Sequence, residues 1–134
     1  MQVVAYWWEQ QNGMCCLCHE KMEPYARDQN TNPMAASIEH LIPKRENGPD
    51  SVGNVRLAHV MCNSALGSLW MANQHRAEKG LPPLTDEWAL GRAKEQWAIK
   101  LARRAAVAAG LPIPPLPPLR FPLPEEAAIE RKRA

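Results

Sequence analysis

Charge of one sign is scarce in this chain: 16 basic side chains stand against 14 acidic ones, a net charge of +2. So slight an excess does not by itself establish a nucleic-acid partner. Long hydrophobic runs are missing as well. No stretch approaches the roughly 20 apolar residues that a membrane span needs, so no membrane partner is expected. The opening MQVVAYWWEQQNG has neither the basic start nor the apolar length of a signal peptide. These absences lead to the expectation of a cytoplasmic protein. There thiols stay reduced, and paired cysteines more often mean zinc than a disulfide. Hydrophobic residues make up 46% of the 134, but much of that is Ala and Leu outside the central segment. The length fits one domain with appendages, and a core this small calls for a staple.

Along the chain, residues 2–12 favour a short helix burying one of Trp7 and Trp8, closed by the turn signal Asn12-Gly13. Residues 15–35 read as a knuckle and an irregular polar loop broken by Pro24 and Pro33. Ser37–Leu41 and Asn54–Ala58 are apolar enough to pair as strands, and the turn-rich Pro43–Asp50 between them excludes regular structure. A helix is predicted from about Val60 to Lys79, with Leu66, Trp70 and Ala77 on one face. Another is predicted from Thr85 to Ala109, with Thr85 as N-cap, Asp86 and Glu87 in the first turn, and Gly110 with Pro112 as the stop. Its apolar stripe is Leu90, Ala93, Trp97, Leu101, Ala105 and Ala108. Its polar side, with Arg92, Lys94, Lys100, Arg103 and Arg104, is either a solvated face or a phosphate contact. From Leu111 to Pro124 alternating Pro and Leu predict extended polyproline II: a linker, a partner-binding segment or a wrap around the chain's own domain. No internal repeat is present.

Chemistry gathers in the centre. Cys15-x-x-Cys18 and His59-x-x-Cys62 are two pairs of one spacing, and the x-x turn lets both members of a pair reach one tetrahedral Zn²⁺ about 2.1–2.3 Å away. Cys15, Cys18, His59 and Cys62 are the assigned ligands of a structural zinc. Cys16 could replace Cys15 if the knuckle were shifted, and His19 lies nearby. Between the pairs run Ile38-Glu39-His40-Leu41-Ile42-Pro43 and Gly53-Asn54, with Asn63 directly after Cys62. His40, Asn54 and Asn63 stand 14 and then 9 residues apart. An imidazole, with an unperturbed pKa of about 6.5, can act as a base near neutral pH. Glu39 and Asn63 offer hard oxygen ligands suited to Mg²⁺ or Mn²⁺. Adjacent strand residues point to opposite faces, so a bulge or a strand end is expected at Glu39-His40.

This pattern resembles the HNH endonucleases of the His-metal finger type over roughly Cys15 to Gly67. The resemblance implies that His40 is the general base, that Glu39 and Asn63 bind the catalytic divalent metal, and that Asn54 braces the loop. Glu39 stands where Asp is commoner, Asn63 where the third letter of the motif is His, and His59 where relatives often carry Cys. Lys44, Arg45 and Arg56 are candidates for holding phosphates, with Arg56 expected on the strand face of Asn54; Lys44 or Arg45 could equally be a solvated loop charge. The expected fold is α+β: a small ββα-metal core, a zinc knuckle, flanking helices and a Pro-rich tail. Its expected division is a nuclease domain at 1–80, a helical extension at 81–110 and a tail at 111–134. The implied function is divalent-metal-dependent hydrolysis of DNA phosphodiesters by a one-metal route, nicking duplex DNA. Size and motif resemble bacteriophage enzymes, some acting with the DNA-packaging terminase. The rival expectation is a zinc-stabilised nucleic-acid-binding or adaptor module without catalysis.

Overall fold

Three hydrogen bonds joining Gln11 and Cys16 to the Leu57 peptide brace the centre of this fold. The computed structural model describes residues 2–26 and 32–126. Its elements are α1 (Gln2–Gln10), β1 (Ala36–His40), β2 (Val55–His59), α2 (Val60–Glu78) and α3 (Asp86–Ala108). β1 and β2 form a two-stranded antiparallel sheet in which Ala36 faces His59 and His40 faces Val55. Two strands alone are marginal in water, and an open edge invites wrong pairing. Here the Gln11 side chain closes the edge of β2 as a strand would. Its Oε1 accepts from Leu57 N at 2.9 Å, and its Nε2 donates to Leu57 O at 2.9 Å and to Met14 O at 2.7 Å. Cys16 N adds a bond to the same Leu57 carbonyl at 3.0 Å.

Both strands sit one residue from the expected bounds, and the Asn12-Gly13 turn forms as expected, with φ of 52° and 68°. α1 lays both Trp7 and Trp8 half-buried against the core instead of burying one of them. That core is Cys15, Met22, Ala36, Leu57, Ala58 and Cys62, so four of its six residues are cysteine or alanine. The β1–β2 loop is irregular apart from the single 3₁₀ turns Lys44–Glu46 and Val52–Asn54.

α2 corrects one expectation. Its inward residues are Cys62, Leu69 and Arg76, with Leu66 and Asn73 half-buried between them, while Trp70 (45% exposed) and Ala77 face outward. The steps of four and three from Cys62 to Arg76 make one helical face. Its polar members are occupied. Asn73 clasps the Leu84 backbone with both side-chain atoms (2.8 and 3.0 Å), and Arg76 Nε donates to Pro82 O at 2.8 Å. Leu69, Leu84 and Ala89 form a second small core where α3 crosses.

α3 begins as expected: Thr85 Oγ1 accepts from Trp88 N at 3.1 Å, satisfying one orphan amide of the first turn. The apolar stripe is half-buried only as far as Trp97; Leu101, Ala105 and Ala108 are exposed. Of the three roles left open for the Pro-rich segment, its end takes the wrap. Arg92 and Trp88 donate to the carbonyls of Phe121 and Pro122, each at 3.0 Å, and Arg76 grips Glu125 through two bonds of 3.0 and 2.6 Å. Residues 127–134 of the expected tail lie outside the described residues.

The Arg76 guanidinium holds the Glu125 carboxyl below its ordinary value of 4.5. A carboxyl depressed by folding contributes stability above that value and loses it as pH falls through the lower, folded one. Docking of residues 119–125 is therefore expected to persist through the neutral range and to fail only in acid. Gly91→Ala should release it at neutral pH, because the new Cβ would lie 2.4 Å from the Phe121 ring. Limited proteolysis reads both; a tail equally resistant in Gly91→Ala and wild type would contradict this packing.

Candidate functional site

His59 is the pivot of the site. It ends β2, stands at the N-cap of α2, and is fully buried. It makes no side-chain cap; the first amides of α2, Val60 and Met61, donate instead to the loop carbonyls of Ala35 and Pro33 at 2.9 and 3.0 Å. The His59 ring is thereby left to another task. Its Nε2 donates to Lys21 O at 2.9 Å, which fixes the proton on Nε2 and turns the Nδ1 lone pair toward Cys18 Sγ (3.3 Å) and Cys62 Sγ (3.6 Å). The ligand atoms of Cys15, Cys18, His59 and Cys62 all lie within 4.8 Å of one another. Three sulfurs and one imidazole nitrogen at that separation suit a tetrahedral ion such as zinc, with all four positions taken by protein.

The knuckle is shaped to carry negative sulfur. Cys62 donates to Cys15, and the amides of Leu17 and His59 each approach Cys15 Sγ at 3.4 Å. Together they pull the Cys15 thiol down to about 4. Cys62, on the donating side of that contact and buried beside the Cys15 charge, is pushed up. Cys16, the alternative ligand, stands apart: half-buried and outside the cluster, it is pushed up to about 12 by burial, with Cys15 and Glu39 adding to the effect. Lys94 of α3 reaches Glu20 of the knuckle at 2.9 Å and ties the long helix to the cluster.

The oxygen and imidazole group lies along the end of β1. The strand keeps one-for-one register through Glu39 opposite Arg56 and His40 opposite Val55, so the pair sits at a strand end and involves no bulge. Glu39 is half-buried and its carboxyl is raised, chiefly by burial, with His40 and Arg45 opposing. Asn63, in the turn that Cys62 anchors, donates from Nδ2 to Ile38 O at 3.0 Å, next in sequence to Glu39. Asn54 is buried (6% exposed) and belongs to the turn before β2, which removes the shared strand face expected for it and Arg56. Its Oδ1 accepts from Ile42 N at 2.8 Å, and its Nδ2 donates to Ile42 O at 3.1 Å and Pro49 O at 2.7 Å. Gly48 completes the loop: any Cβ there would lie 1.7 Å from Ile42 O.

Each candidate phosphate residue already has a partner. The Arg56 guanidinium lies 3.7 Å from the Trp7 ring centroid, with Nη1 donating to Val55 O at 2.7 Å; Arg45 covers Trp70 at 4.4 Å; Lys44 Nζ sits 3.7 Å from Asp50. Asp50 is the residue that sequence reasoning missed. Its Oδ1 lies 2.6 Å from His40 Nε2. The available signal was positional: a loop that must return its chain to pair Val55 with His40 brings its middle close to the strand end.

Two outcomes follow. Purified protein should hold one zinc per chain; Cys62→Ser should lose it and Cys16→Ser should keep it, read by metal analysis, and zinc retained in Cys62→Ser would contradict the ligand set. Asn54→Ala removes three part-buried hydrogen bonds to the Ile42 and Pro49 backbone, so it should cost about 1–3 kcal/mol of stability in a denaturant titration. A loss near zero would mean that the loop does not depend on it.

Residues 15–69, under half of the chain, match the family model described as HNH endonuclease. No curated protein and no solved structure matches. The matched stretch holds the whole metal cluster and the strand–loop–strand–helix unit beside it. The chain thus carries an HNH endonuclease domain, which supports a nuclease-type function with nucleic acid as its substrate.

Proposed function

We propose that the protein is a divalent-metal-dependent DNA endonuclease that nicks duplex DNA, with His40 as general base, Glu39 and Asn63 as ligands of the catalytic ion, and the Cys15–Cys18–His59–Cys62 ion in a structural role. The observation that carries this reading is Asn63. It follows zinc-type ligand Cys62 by one residue and hydrogen-bonds Ile38 O, one residue before Glu39. The residue next to a zinc-type ligand therefore ties α2 to β1 beside Glu39, which supports placing the two oxygen donors together.

The residues fit a hard cation. Because Nδ2 of Asn63 is committed to Ile38, its Oδ1 is the atom left for a ligand. Glu39 is a carboxylate whose charged form is disfavoured by burial, and a neighbouring cation favours that form. Mg²⁺ commonly takes one or two protein groups plus water and substrate phosphate. Held there, such an ion would offset the charge that gathers on the phosphate and the leaving oxygen. His40 takes a proton from the attacking water; the water oxygen bonds to phosphorus, the bond to the 3′ oxygen breaks, that oxygen takes a proton from solvent, and the products carry a 5′-phosphate and a 3′-hydroxyl. Asn54 holds the loop that follows His40, and so the ring's surroundings. Arg56, Arg45 and Lys44 supply positive charge around this end of the sheet. Size and motif alone extend the reading to a phage origin and action beside a packaging terminase.

Supercoiled plasmid tests the reading. Wild-type protein with Mg²⁺ or Mn²⁺ should convert it to the nicked form, and His40→Ala should reduce the rate by about 10²–10⁴-fold, the usual worth of a general base. DNA that is bound but left uncut under every divalent metal would favour the zinc-stabilised binding module instead.

A further inference from the structure

Asp50 is an exposed aspartate in a loop, yet its carboxylate makes the shortest polar contact to the His40 ring, 2.6 Å from Nε2. The ring is 15% exposed and the carboxylate 75%. Exposed ion pairs add little to stability, so the contact is poorly explained as a fold device. The backbone on both sides of Asp50 is nevertheless held. Pro49 O accepts from the buried Asn54 amide at 2.7 Å, Ser51 O accepts from Asn54 N at 2.9 Å, and Gly48 is pressed against Ile42 O. Lys44 Nζ lies 3.7 Å from the same Asp50 oxygen. Three constraints in four residues aim one carboxylate at one ring nitrogen.

We propose that Asp50 is a positioning residue for His40: by accepting from Nε2–H it fixes the ring's orientation and tautomer, and so makes Nδ1 the nitrogen that takes the proton from water. This rests on the nuclease reading above. The physical reason is the donor inventory. An ionised carboxylate can only accept, so in a neutral ring the nitrogen it touches must carry the hydrogen, and the other nitrogen carries the lone pair. The same logic orients the histidine of a Ser-His-Asp triad, where exchanging the aspartate for asparagine leaves the geometry intact but selects the wrong tautomer. Asparagine at position 50 could donate to Nε2 as readily as accept from it, and the ring would lose its preference.

The test uses the zinc-loaded protein with nitrogen-labelled histidine at about pH 8. Nitrogen chemical shifts of His40 in wild type should report a protonated Nε2 and a bare Nδ1, and Asp50→Asn should shift that pattern toward mixed tautomers. On plasmid, Asp50→Asn and Asp50→Ala should lower kcat by about 10–100-fold, the range for a residue that orients a functional group. KM, zinc content and melting temperature should stay unchanged. Asp50→Glu, which keeps an acceptor-only group, should recover part of the loss. A bare Nε2 in wild type, or wild-type kcat in Asp50→Asn, overturns the role of Asp50 while leaving the nuclease reading intact. Wild-type protein that never cuts overturns the nuclease reading, and the proposed role with it, whatever the tautomer.

Discussion

Three sulfurs and one imidazole drawn to within 4.8 Å of one another set the position of nearly everything else in the central domain. The apolar core around them is too small to do this alone. Its largest fully buried side chains are Leu57, His59, Cys15 and Cys62, beside the small Ala36 and Ala58, and one buried leucine is worth about 1.5–3 kcal/mol. Zinc binding in comparable small domains is worth about 10–16 kcal/mol and appears as folding energy, because the site does not exist in the unfolded chain. An ion held by these four ligands would therefore outweigh any single apolar side chain of this core. His59 transmits its effect: it ends one strand, starts one helix and contributes one ligand, so fixing its ring fixes the angle at which α2 leaves the sheet. Asn63 stands on the first turns of that helix and reaches β1.

A second constraint acts at the other end of the sheet. The peptide groups of Ile42 and Pro49 are gathered by one buried amide, Asn54, and Gly48 lets the chain cross Ile42 with no side chain between. The loop is thus held in shape with only two single 3₁₀ turns as regular structure. Its polar groups converge on the last residue of β1, where His40 and Asp50 meet. The two constraints face each other across five residues of strand, which is why so short a sheet can present an organised group of side chains.

Much of this was legible in the sequence because its strongest signals are local. A pair of ligands separated by two residues specifies a knuckle whatever surrounds it, and Thr85 with Asp86 and Glu87 marks a helix start by capping chemistry alone. The face of α2 was less legible. Hydrophobicity pointed to Leu66, Trp70 and Ala77, but the phase of the helix is set by Cys62, which must reach the cluster. Leu66, Leu69, Asn73 and Arg76 then follow inward, and the two polar ones are tolerated because they clasp Leu84, Pro82 and Glu125. The outer half of α3 carries an apolar stripe that stays exposed, and the hydrogen bonds that return the tail to α3 end on the helix's first half. Asp50 was hidden for a different reason: its meaning lies in a contact across a loop, which shows only once the strand pairing that returns the loop to His40 is known.

Hydrogen exchange before and after removal of the metal tests the dependence on the cluster most directly. Stripping the ion should abolish protection at Ala36–His40, Val55–His59 and the first turns of α2, while the α2–α3 contact around Leu69, Leu84 and Ala89 keeps a measurable share of its own. Unchanged protection across both strands in metal-free protein would show that the hydrocarbon core holds the site unaided, and would contradict the account.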